Sequence, residues 1–381
     1  MNAIQNNRSG KNRHDVKVHR FACVVALALV IPIAMAAPLG AESRHSAKST
    51  PAPLFGVGIA RCTFVDTSRA ALNYSTVPYR AISGGRRLVT DIRYPIQLHP
   101  GEPVESGGAP PLPQSGGYPM VVFAHGYDVT PETYASLLDA WVREGFVVVA
   151  PFFPDESASE VAAQHGANTE GDLANEPGDL AFVTKSVLTA STGDSTNCRI
   201  VNGLVEPTEI ALAGHSDGAE AVGMLAFAHG DDPQGVNFAD LRTGIAYRAM
   251  IVLSGAEEKT QSYAAEASRP NLMVVQSLAD QCNPMRDGVQ LYDGIHQPNK
   301  WFLELQTSHH LPPFDGVDVS AFGVVVTTTV QFLRMSLKGV SPTASLLALG
   351  NQRPAIARMF LGAPGPSMKN VTPLKEFCSP N

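Results

Sequence analysis

The chain predicts an α/β fold with a doubly wound, mostly parallel central sheet flanked by helices, and three observations carry that expectation. Six short, continuous apolar runs recur between residues 120 and 305, the pattern of strands covered on both faces. Helical stretches fill the intervals between them, so strand and helix alternate. The 381 residues, 44% of them apolar, are enough for one large domain of this class.

Read from the start, residues 1–36 have the order of a signal peptide. Arg8, Lys11, Arg13, Lys17 and Arg20 precede an apolar run from Phe21 to Ala36 that is interrupted at Pro32 and ends in Ala34-Met35-Ala36. About twenty apolar residues are needed to span a bilayer, and this run is shorter, so a secreted protein with no stable membrane span after cleavage is expected. Losing a leader of net +4 takes the formal charge from −7 to −11. Nucleic acid and anionic lipid surfaces are therefore poor partners. Residues 37–54, rich in Ser, Ala and Pro, read as a flexible linker.

Residues 55–338 are expected to form the catalytic domain. Val57 to Val65 and Arg87 to Tyr94 alternate as half-buried edge strands do. The Pro-, Gly- and Ser-rich stretch from Pro100 to Pro119 is expected to be an exposed loop. The six strand candidates follow: Met120 to Ala124, Phe146 to Ala150, Glu209 to Ala213, Ala249 to Leu253, Leu272 to Gln276 and Trp301 to Leu305. Helices are expected over Pro131 to Glu144, Pro177 to Thr189, Gly218 to Ala228, Met285 to Tyr292 and Val319 to Leu337. Residues 339–381 are read as a tail packed on the domain.

Cys23 would leave with the leader, and Cys62, Cys198, Cys282 and Cys378 remain, an even number suited to an oxidising compartment. We expect Cys282 to pair with Cys378, because a proline-bearing tail gains most from being pinned. No CxxC pair suggests a zinc site, and no Gly-x-Gly-x-x-Gly segment suggests phosphate binding.

Chemistry concentrates on Gly214-His215-Ser216-Asp217-Gly218. A serine hydroxyl is a weak nucleophile and needs exposure, a base and donors aimed at the developing oxyanion. This segment follows an apolar strand, opens a helix of small residues and carries the one serine with glycines two before and two after it, which is the context of a strained nucleophile turn. The bland alternative is a helix N-cap. One oxyanion donor would be the amide of Asp217. The other would be that of Tyr127, because Gly126 lets the loop after Ala124 turn toward the site. His125 is read as a structural histidine bonding loop carbonyls. In the chain order Ser, acid, His, Asp280 follows the end of a strand and is preferred as the acid, with Glu257 its rival. His309 and His310 both follow the last strand, and only one can serve as base.

These residues resemble secreted bacterial α/β-hydrolases of the dienelactone-hydrolase-like, platelet-activating-factor-acetylhydrolase-like and cutinase or polyester-hydrolase group. The likeness runs from about Val57 to Leu337. It rests on His125-Gly126-Tyr127, the Gly214 to Gly218 segment, the Asp280-x-x-x-Pro284 turn and the Glu304 to His310 strand end. The resemblance implies that His310 is the base, with His309 standing where serine is usual. Asp217 departs from the pattern, and Pro154 to Glu176 and the tail beyond Gly339 have no match. The expected activity is hydrolysis of a small-molecule or lipid-like carboxylic ester by a Ser216, His310 and Asp280 triad, with no metal or organic cofactor. Transfer of the acyl group to another acceptor is an alternative with the same groups. A non-catalytic binding protein on this fold is the alternative of another class.

Overall fold

The computed structural model describes residues 55–367 except 77, 99–104, 165–169, 194–195, 232–234, 256–261, 264–269 and 340–342. The leader, the linker, Glu257 and Cys378 lie outside the described residues. Ten strands form the main sheet: β1 (Gly56–Asp66), β2 (Arg86–Ile96), β3 (Glu105–Gly107), β4 (Tyr118–Ala124), β5 (Val147–Pro151), β6 (Val205–His215), β7 (Tyr247–Leu253), β8 (Asn271–Ser277), β9 (Lys300–Leu305) and β10 (Ala357–Leu361). Across the sheet they run β10, β9, β8, β7, β6, β4, β5, β2, β1, β3. The six from β9 to β5 are parallel. β2 is antiparallel to both β5 and β1, and β10 to β9.

The parallel strands are apolar on both faces because both are covered. Val121, Phe123 and Ala213 pack with Trp141, Val325 and Phe332 on one side, while Val122, Leu212 and Val274 pack with Val183, Leu225 and Val289 on the other. The covering helices are α1 (Ala135–Arg143) and α5 (Val319–Lys338) on the first side, and α2 (Glu176–Ser191), α3 (Asp217–Phe227) and α4 (Met285–Gly294) on the second. Trp141 Nε1 donates to Thr329 Oγ1 at 3.0 Å and joins α1 to α5.

After β4 the chain winds to one side through β5, and from β6 it winds to the other. The loops leaving the adjacent ends of β4 and β6 therefore diverge and open a crevice, the place where ligands bind in such sheets.

Three regions carry structure that the sequence did not foretell. Residues 105–107 of the supposed loop pair with β1, and β4 starts at Tyr118. Part of the tail is sheet and helix: α6 (Thr343–Gly350) packs Leu346 into the core, and β10 extends the sheet beside β9. The polar stretch 154–176 is buried at its two ends, at residues 155–157 and at 172, 175 and 176, and its second end meets two distant arginines. Arg86, fully buried, donates to Asp172 and Asp179. Arg69 donates to Asp66, Asp179 and the Asn175 carbonyl. On the far edge, Cys62 of β1 is disulfide-bonded to Cys198 across 136 residues, a loop whose closure stabilises the fold by about 4–5 kcal/mol in the chain-entropy account.

Candidate active site

The turn at the end of β6 is strained. Ser216 has φ +55 and ψ −123, a backbone conformation that costs about 1–3 kcal/mol outside glycine and is kept only where the surroundings enforce it. They do so by close approach: a β-carbon on Gly214 would lie 2.2 Å from the Gly218 carbonyl oxygen, and one on Gly218 would lie 2.4 Å from that of His125. The Ser216 amide donates to the Leu253 carbonyl at 3.1 Å, which ties the turn to β7. Asp217 is the first residue of α3, where backbone N–H groups point out of the helix end and favour negative charge.

Asp280 and His310 meet at the ends of β8 and β9. His310 Nδ1 is 3.0 Å from each Asp280 carboxylate oxygen. Asp280 is fully buried and accepts three further hydrogen bonds, from the Cys282 and Asn283 amides at 2.9 Å each and from Gln276 Nε2 at 3.1 Å. A carboxylate so supplied is held in one orientation, and it fixes the His310 proton on Nδ1, leaving Nε2 free of a proton. His309 is exposed and interacts with Asp318 instead. Ser277 Oγ donates to the Ser308 carbonyl, and Ser308 Oγ donates to Asp318 at 2.7 Å, so the loop bearing His310 is pinned at its start.

His125 is fully buried, and burial pushes its pKa down to about 4. Its Nδ1 donates to the Gly126 carbonyl at 2.8 Å and its Nε2 accepts the Phe153 amide at 3.0 Å. It therefore shapes the loop that carries half-buried Tyr127.

The sequence reading missed two residues that join these parts. His215 Nε2 faces the His310 carbonyl at 3.2 Å; a carbonyl only accepts, so this nitrogen carries the ring proton. Nδ1 then accepts from the Tyr134 hydroxyl at 2.7 Å, and that oxygen accepts the Gly126 amide at 3.4 Å. The chain Gly126, Tyr134, His215, His310 links the loop after β4, the turn after β6 and the loop after β9. Burial, reinforced by His310, keeps the His215 pKa well below the ordinary histidine value, so the ring stays neutral and its proton arrangement holds. The only signal in the sequence was a polar residue ending an apolar strand.

The Cys282 sulfur, Asp280 and His310 offer ligand atoms within 4.8 Å of one another, but Cys282 is disulfide-bonded, so no thiolate is available and the trio does not fit a metal site. Its expected partner Cys378 and the rival acid Glu257 lie outside the described residues.

Comparison with known proteins agrees with this architecture. The chlorophyllase family model matches residues 109–254, from the segment before β4 through the Ser216 turn. Among solved structures, a ferulic acid esterase from Streptomyces cinnamoneus is similar at 17% identity and a TM-score of 0.54, over 78% of this chain and 94% of that one. No curated protein matches.

Proposed function

The chain has the α/β-hydrolase fold, and on that fold we propose that it hydrolyses carboxylic esters through an acyl-enzyme intermediate. The observation that carries the reading is the Asp280–His310 pair standing beside the strained Ser216 turn, with the His215 and His310 rings 4.6 Å apart. Ser216 Oγ attacks the ester carbonyl while His310 Nε2 takes its proton. The amides of Tyr127 and Asp217 receive the oxyanion, each such donor contributing about 3 kcal/mol. His310 then protonates the leaving alcohol. Water deacylates the serine by the same route, and Asp280 balances the imidazolium charge in both halves. The likeness to a protein named as a ferulic acid esterase supports ester chemistry on a small substrate. The basic leader and the Cys62–Cys198 disulfide support export to an oxidising compartment.

A fluorophosphonate probe tests the nucleophile. Wild-type protein should be labelled on the peptide containing Ser216 and lose its p-nitrophenyl esterase activity in step. Absence of labelling, or ester hydrolysis persisting in Ser216→Ala, rejects the reading.

Tyr134→Phe tests the linking chain. It deprives His215 Nδ1 of its donor and frees the ring to adopt the tautomer that sets a lone pair against the His310 carbonyl. A buried acceptor left unsatisfied costs about 1–3 kcal/mol. We expect kcat to fall about tenfold with KM within about twofold of wild type; an unchanged kcat would show that the chain does not position the base.

A further inference from the structure

Three features at the carboxyl ends of β7 and β8 are unfavourable for the fold by themselves. Ser254, the first residue after β7, has φ +46, a left-handed backbone that a serine keeps only where its surroundings enforce it. Its hydroxyl is buried and has no hydrogen-bond partner among the described residues. Gln276 Oε1, in β8, is buried and likewise without a partner; α4 crowds it at Gly288, where an added β-carbon would lie 3.0 Å away. Buried polar groups are paired in nearly all cases, so exceptions gathered in one place mark a competing demand.

The segments that carry them meet at Asn283. Its side-chain Nδ2 donates to the Ser254 carbonyl at 2.6 Å, its own carbonyl accepts Gln276 Nε2 at 2.6 Å, and its amide donates to Asp280 at 2.9 Å. Gln276 Nε2 also donates to Asp280 at 3.1 Å. The carbonyl and the carboxylate that face Gln276 both need a donor, which turns the NH₂ group toward them and leaves Oε1 in the unpaired position. The carbonyl before that of Ser254 is that of Leu253, and it accepts the Ser216 amide at 3.1 Å. Two consecutive carbonyls at the end of β7 therefore anchor the nucleophile turn and the acid turn. The Ser254 amide, donating to the Val275 carbonyl at 2.8 Å, ties this strand end to β8.

We propose that Asn283 is a positioning residue: through Ser254 it sets Asp280, and with it the His310 ring, at a fixed place relative to Ser216, while Gln276 braces Asn283 and Asp280 together. Removing the Asn283 donor frees the acid turn from β7 and lets the Asp280 carboxylate shift against His310 Nδ1. Misplacement of that kind acts on the transition state, in which the Ser216 proton is moving, and leaves substrate binding nearly unchanged. The effect on kcat rests on the esterase reading; the placement of Asp280 and His310 does not.

The test uses Asn283→Leu, which is close in size and lacks the donor, and Gln276→Met, which removes the brace. Asn271→Leu is the control, because Asn271 lies at the opposite end of β8, where its Nδ2 donates to Ser336 Oγ at 3.1 Å. Two quantities are read: kcat and KM on a p-nitrophenyl ester, and the ¹⁵N shifts of the His310 ring at alkaline pH, which report the nitrogen that carries the proton. Asn283→Leu and Gln276→Met should each lower kcat about tenfold or more with KM within about twofold of wild type. Both should also move His310 from the single form protonated on Nδ1 toward a mixture of tautomers, and Asn271→Leu should change neither quantity. Wild-type kcat, or unchanged His310 shifts, in a folded Asn283→Leu overturns the proposal. Should that variant not fold, Gln276→Met and Asn283→Ser, whose short side chain falls away from the Ser254 carbonyl, are judged by the same two criteria. If the wild type hydrolyses no ester and Ser216 is not labelled, the esterase reading fails while the His310 shifts still decide the placement.

Discussion

Asp280→Asn should lower kcat on a p-nitrophenyl ester by about 10⁴-fold while leaving KM within a few-fold of wild type. The Asp280 oxygens already accept the Cys282 and Asn283 amides and Gln276 Nε2, and an asparagine placed there would keep its one carbonyl oxygen on those donors. Its NH₂ group would then face His310 Nδ1, where the carboxylate now stands at 3.0 Å. A donor facing Nδ1 drives the ring proton to Nε2, the nitrogen that accepts the proton of Ser216 in the proposed reaction. The fold should survive, because the two side chains have the same shape. Ser216→Ala and His310→Ala should each cost about 10⁶-fold, and no combination of the three should cost much more than the worst of them, since the groups act as one unit. His309→Ala should leave kcat within about twofold, because that side chain is exposed and interacts with Asp318. A large loss in His309→Ala, or a mild one in Asp280→Asn, would sink the assignment of base and acid.

What the sequence made legible follows from where burial writes a pattern. Strands β4 to β9 are covered on both faces, so each appears as an unbroken apolar run, and the expected bounds differ from the observed ones mainly at strand ends. β10 lies at the edge, and Arg358, its second residue, is exposed, which leaves only a short run to read. The stretch 154–176 looked like a polar insertion because its partners are remote: Asp172 meets Arg86 from 86 residues away and the Asn175 carbonyl meets Arg69 from 106. The same division holds within the site. The Ser216 turn announces itself through local glycine spacing, chain order then leads to Asp280 and to the adjacent His309 and His310, and the resemblance to known hydrolases is what favours His310. The hydrogen bond from Tyr134 to His215 spans 81 residues. Pairings of that kind depend on which loops the sheet order brings together, information that no window of sequence contains.

Arg86→Met should destabilise the protein by about 3–5 kcal/mol, read as a lower urea midpoint at unchanged m-value. Removing the guanidinium leaves Asp172 and Asp179 fully buried with less compensation. Asp172 would retain Tyr74 Oη at 3.2 Å and Asn175 Nδ2 at 2.8 Å, and Asp179 would retain Arg69 Nη2 at 2.6 Å. These remaining donors set the loss below that of two wholly unpaired buried anions. Arg286→Ala is the contrasting case: its pair with Asp287 is made by a side chain 59% exposed, and solvent screening limits the change to about 0.5 kcal/mol. A loss under about 1 kcal/mol for Arg86→Met would mean that water reaches the acids and that the network is not a closed one. The origin of the cost can be isolated by neutralising the stranded partners. Adding Asp172→Asn and Asp179→Asn to Arg86→Met should restore part of the stability, because the penalty lies in the unpaired charges rather than in the lost attraction. Had the attraction itself been the larger quantity, the triple variant would be no more stable than the single one.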